Sequence, residues 1–104
     1  MTILAEIMQA RVKYQDNPRL LKIGKMMFDM YTQNGFPPDM FFDEYEKVEK
    51  LNKDEKIFII TEYQTLFLEH RRQSGIEEKN VGKVRKNNLE AITRFINTGE
   101  VGVY

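Results

Sequence analysis

Apolar positions crowd most densely between Leu51 and Arg72. Ile57, Ile60, Tyr63, Leu66, Phe67 and His70 follow one another at helical spacing, and Ile59 and Leu68 widen the arc beyond a single stripe. Asn52 is a good N-cap with Glu55 three residues later, the arrangement in which two side chains share orphan amide donors reciprocally. Arg71 and Arg72 fall in the last turn, where positive charge suits the helix dipole, and Gly75 offers a left-handed exit. A helix apolar on several sides has to be packed on several sides. The pattern therefore predicts that this one is the centre of the fold, with Ile60 at its middle.

Four further amphipathic segments surround it. Thr2 can cap a first helix from Ile3 to about Gln15, for which Ile3, Leu4, Ile7, Met8 and Tyr14 are the expected inner face. Asp16-Asn17-Pro18 ends it and opens the next, because a residue before proline leaves the helical region and proline suits the first helical position. The second helix runs from Pro18 to about Gln33, with Leu20, Ile23, Gly24, Met27, Met30 and Tyr31 along one side and Leu21 and Phe28 beside them. Gly24 weakens this helix by roughly 1 kcal/mol relative to alanine. Its place on the apolar stripe predicts a close approach by another helix.

Asn34-Gly35 closes the second helix, Phe36 is placed for the apolar contact that follows a glycine cap, and Pro37-Pro38 makes a stiff corner. A third helix is expected from Pro38 to about Lys50, with Phe41, Tyr45 and Val48 spaced i, i+4, i+7 and Asp39 in its first turn. After Gly75 the pattern weakens; Ile76 to Val81 reads as an irregular turn, and Gly82 argues against one long helix. From Lys83 to Asn97 the stripe Val84, Leu89, Ile92, Phe95 and Ile96 predicts a fifth helix ending at Thr98-Gly99. The tail Glu100 to Tyr104 is short, apolar and β-prone, and is expected to be extended. The whole predicts a compact all-α single domain over residues 1–104, a bundle of about five helices joined by short turns.

Composition narrows the function classes. The chain has no cysteine, so disulfides and thiolate metal sites are excluded. Met1 to Ala10 lacks the basic and apolar regions of a signal peptide, and no stretch approaches the roughly 18 apolar residues of a membrane span. A cytoplasmic protein is expected. Sixteen basic residues balance sixteen acidic ones, but unevenly along the chain. Asp39 to Lys56 is acidic, whereas Arg71 to Arg94 carries Arg71, Arg72, Lys79, Lys83, Arg85, Lys86 and Arg94 against three acids.

Catalytic chemistry finds little purchase, and no enzyme is expected. The single histidine, His70, is flanked by Glu69 and Arg71, but adjacent helical residues do not face each other. No cofactor is expected: a phosphate-binding loop would need a lysine and a hydroxyl residue that Gly75 and Gly82 lack. Nor is a metal, because no glutamate stands three residues before His70. Asp39, Asp43, Glu46 and Glu49 recur on one helix without a ligand loop, and read as a solvated face. The segment around Lys79 to Asn88 fails as a helix-turn-helix. With Gly82 in the turn, the positions that must be apolar hold Glu78 and Asn88; with Gly75, the early position is Arg71.

Association with another protein, or with a second copy, is the expected function: a regulator, adaptor or phage-type inhibitor of a larger enzyme. Seven phenylalanines, five tyrosines and six methionines exceed what a small core readily hides. Methionines and aromatics beside acids are contact material. The expected surface comprises Met26, Met30, Met40, Phe41, Phe42 and Tyr45 with Asp39, Asp43 and Glu46. One member of each neighbouring pair, Met26 or Met27 and Phe41 or Phe42, should lie at the rim. The alternative is nucleic-acid binding through Lys79, Lys83, Arg85 and Lys86.

Overall fold

A computed structural model of the chain describes residues 3–73 and 81–99, with side chains from 4 to 73 and from 86 to 99. Five helices are formed among them: α1 (Ile3–Tyr14), α2 (Pro18–Asn34), α3 (Pro38–Tyr45), α4 (Lys53–Gln73) and α5 (Val81–Thr98). The expected all-α bundle is what forms. The Gly75 exit, the turn before Val81 and the tail from Glu100 lie outside the described residues.

Helix boundaries follow local chemistry. Asn17 caps α2 by accepting from the Leu20 amide at 3.2 Å, with Pro18 in the first turn. At the far end Gly35 takes a left-handed conformation (φ 68°), and its amide donates to the Tyr31 carbonyl at 3.0 Å. Phe36 then folds back, half-buried against the core. The capping box before α4 is complete: the Glu55 amide donates to Asn52 Oδ1 at 2.8 Å, and the Asn52 amide donates to Glu55 Oε1 at 3.0 Å.

Helix α4 is the hub. Helices α1, α2 and α5 all pack against it, and Ile57, Phe58, Ile59, Ile60 and Tyr63 are buried on successive sides of it. Ile60 has no exposed surface. Helix α2 comes closest. A Cβ added to Gly24 would lie 2.9 Å from Glu62 Cβ and 2.8 Å from Glu62 Cγ, so the glycine is what lets the two helices approach. Phe28 and Tyr31 of α2 meet Tyr63 and Phe67 of α4 in an aromatic cluster with centroid separations of 5.8 to 6.4 Å. Tyr14 of α1 meets Phe58 edge-on at 6.0 Å, and the buried Gln64 donates from Nε2 to the Asn88 carbonyl of α5 at 3.1 Å.

Expectations fail in α5, α3 and α1: Leu89, expected on the inner stripe of α5, is exposed. Helix α3 stops at Tyr45 instead of continuing to about Lys50; turns replace it from Glu46, and Val48, expected on the inner stripe, is 86% exposed. The acids of this stretch are drawn elsewhere. Glu46 pairs with Lys56, Glu49 pairs with Arg19, and Arg19 also grips Glu55, so side chains from α2 and α4 hold the turn in place. In α1 the inner face is Ile7, Ala10 and Tyr14. Leu4 and Met8, expected there, point outward.

Candidate protein-interaction surface

The surface expected on α2 and α3 is only partly exposed. Both Phe41 (3% exposed) and Phe42 (4%) are buried, so the expectation that one lies at the rim is wrong. Neighbouring residues cannot share one helix stripe, but this short helix is walled on two sides. Phe42 packs against Phe95 of α5 at 6.2 Å, with Lys56 Nζ 5.7 Å from its ring centre, while Phe41 stacks on Tyr45 at 5.8 Å. Tyr45 is half-buried and donates to Glu49 Oε2 at 3.1 Å. Burial first, and then the Glu49 bond and charge, raise its phenol above the ordinary value, so it remains a protonated donor.

What stays outside from that set is Met26, Met40, Asp39 and Asp43, with Met30 half-buried and packed on the core. Met26 is exposed and Met27 buried, as expected for that pair. Glu46 is half-buried and already paired with Lys56, which removes it from the free acidic face. A groove along the outer side of α2 is bordered by Lys22, Lys25, Met26, Asp29 and Met30.

Of the four basic residues of the alternative surface, one has a described side chain. Lys86 is exposed; Lys79 and the side chains of Lys83 and Arg85 lie outside the described residues. His70 is exposed, with its ring edge-on to Phe28 at 5.8 Å. Among the described residues no three carboxylate or histidine side chains gather as a metal site.

The strongest surface feature lies on α1. Leu4 (60% exposed), Met8 (57%) and Val12 (71%) form one ridge at i, i+4 and i+8. The same helix packs its other face on α4 through Ile7, Ala10 and Tyr14. The signal was present in the sequence as two interleaved apolar stripes. Leu4, Met8 and Val12 make one of them and Ile7, Ala10 and Tyr14 the other, so a single inner face drawn through Leu4, Ile7 and Met8 mixes the two. Met26, Met40, Val48 and Leu89 are the other large exposed apolar residues among those described, and they are distributed over α2, α3, the following turn and α5. Isolated apolar side chains are normal at a protein surface; a contiguous row is not.

No family model matches the chain, and no significant similarity links it to curated proteins or to solved structures. None of the described helices is long and apolar enough to cross a membrane.

Proposed function

We propose that this chain is a non-enzymatic protein that acts by associating with another protein, and that the contact is made by the outer ridge of α1. The observation that carries this reading is the row Leu4, Met8 and Val12, three large apolar side chains held in water by a helix whose opposite face is already packed. Leaving them exposed forgoes burial that would otherwise favour folding, and a partner surface restores it. Gln9, Arg11 and Lys13 are exposed around the ridge and supply the polar rim of such a contact. A regulator, an adaptor or an inhibitor of a larger enzyme are the roles that fit a small domain with this one adhesive line. Exposed Met26 and Met40 are secondary contact residues.

Retention of proteins from a lysate of the source cells tests the reading when three immobilised forms are compared. The wild type and Val48→Lys, an exposed change off the ridge, should retain the same partner. Met8→Lys should lose it while keeping its helical circular dichroism, since Met8 is on the surface. Nuclease treatment should change nothing. Equal retention by all three forms sinks the ridge. Retention that disappears with nuclease and with charge reversal at Lys83, Arg85 and Lys86 would establish the nucleic-acid reading in its place.

A further inference from the structure

We infer that Asn34 is a site of covalent modification, losing ammonia by ring closure with Gly35, and that the C-cap of α2 suppresses this reaction in the folded chain. Among the asparagines of the chain, only Asn34 is followed by glycine. Both residues are exposed, so water reaches them. Glycine has no side chain to shield its nitrogen, and the Gly35 amide can approach the neighbouring carboxamide closely. In the reaction the Gly35 nitrogen attacks Asn34 Cγ, and a nitrogen–carbon bond forms. The Cγ–Nδ2 bond breaks, and Nδ2 leaves as ammonia with the proton of the Gly35 amide. Water then opens the five-membered imide. Opening at the new bond leaves aspartate; opening at the main-chain bond leaves isoaspartate, with the chain running through Cγ. Nothing is oxidised or reduced, and water is the co-reactant.

The folded cap opposes ring closure in two ways. Asn34 is the last residue of α2. A helical ψ of about −42° turns the Gly35 nitrogen away from Asn34 Cβ, whereas closure needs the two nearly eclipsed about the Cα–C bond. The proton that the Gly35 nitrogen has to give up is also held, by the Tyr31 carbonyl at 3.0 Å. Gly35 is fixed from the far side as well, because the Phe36 amide donates to the Met30 carbonyl at 3.1 Å and the Phe36 ring packs on the core. Closure therefore waits for the last turn of α2 to open.

Once made, the change hinders re-closing. Either product puts a carboxylate at the C-terminus of a helix, where the dipole disfavours negative charge. Isoaspartate also lengthens the backbone by one carbon inside the cap. The site thus keeps a record of the time the chain has spent open.

Peptide mapping by mass spectrometry tests the inference on the full chain, incubated in native buffer and in guanidinium chloride. In denaturant Asn34 should convert faster than Asn52, while Asn17, which precedes a proline without an amide proton, should not convert by this route. In native buffer Asn34 should convert at least about tenfold more slowly than in denaturant, since the turn must open first. Phe36→Ala should speed the native reaction and leave the denatured rate unchanged; Phe36→Leu takes its place if Phe36→Ala loses its helical circular dichroism. Ile7→Val, a core change in α1, should speed the native reaction less than the Phe36 variant does. Conversion of Asn34 in denaturant no faster than that of Asn52 overturns the site. Equal rates in native buffer and denaturant overturn the protection by the fold. A native rate raised as much by Ile7→Val as by the Phe36 variant overturns the cap as its source.

Discussion

Glu62 sits where α4 passes closest to α2, its Cβ and Cγ laid over the missing side chain of Gly24. Burial of the carboxyl penalises its charged form and pushes its pKa above the ordinary value; Arg11 pulls the other way, and Glu69 reinforces the rise. The folded chain thus holds this proton more tightly than the unfolded chain. Folding stability falls as pH rises from the ordinary carboxylate range through the raised value, and recovers as pH falls, the reverse of a salt-bridged carboxylate. Glu62→Gln should therefore be more stable than wild type at about pH 7, with the difference closing at about pH 4. Urea unfolding midpoints at the two pH values measure it. A glutamine variant that is less stable at neutral pH would show that attraction to Arg11 outweighs burial.

At the scale of the element, the start of α4 depends on a two-residue device. Asn52→Ala removes the acceptor for the Glu55 amide and should cost about 1 kcal/mol in chemical denaturation. A loss of no more than about 0.2 kcal/mol would mean that water replaces the cap fully. Glu55 is a poorer probe, because it also holds Arg19. Such caps explain which boundaries could be read from the sequence. Asn17-Pro18, Asn34-Gly35 and Asn52-Glu55 act within one turn of their own helix, so the letters alone define those ends.

The end of α3 is different. It depends on Lys56 and Arg19 reaching in from other helices to take Glu46 and Glu49, partners that no local pattern reveals. The exposed surface is set by distant partners for the same physical reason. Phe42 is covered by Phe95, from a helix that begins beyond residue 80, and the outer row of α1 becomes visible only once Ile7, Ala10 and Tyr14 are known to be the packed side. Met26 and Met27 were separable because α2 has a single inner stripe, and Ile60 because α4 is packed all round.

Across the whole molecule, stability is distributed as spokes on a hub. Helices α1, α2 and α5 each find their main apolar surface on α4, and they touch one another far less. Gly24, Leu20, Ile23 and Met27 of α2 and Ile7 and Ala10 of α1 are buried, yet much of what covers them comes from a helix later in the chain. This has a consequence for how the protein is made. A chain leaves the ribosome from its N-terminus at about 5–20 residues per second. Helices α1 and α2 must therefore wait, with their apolar faces uncovered, until α4 emerges to receive them, and Phe42 of α3 waits longer, for Phe95 of α5. A fragment ending at Lys50 is the stable equivalent of that nascent state. Its far-ultraviolet circular dichroism should show well under half the helicity per residue of the whole chain, since isolated helices of about 12–15 residues are marginal in water. A fragment with the full chain's helicity would show that the first three helices need no hub. If they do need it, the cell must keep Ile23, Met27 and Phe42 from finding other company during synthesis; the late arrival of α4 sets how long that exposure lasts for α2, and the later arrival of α5 sets it for Phe42.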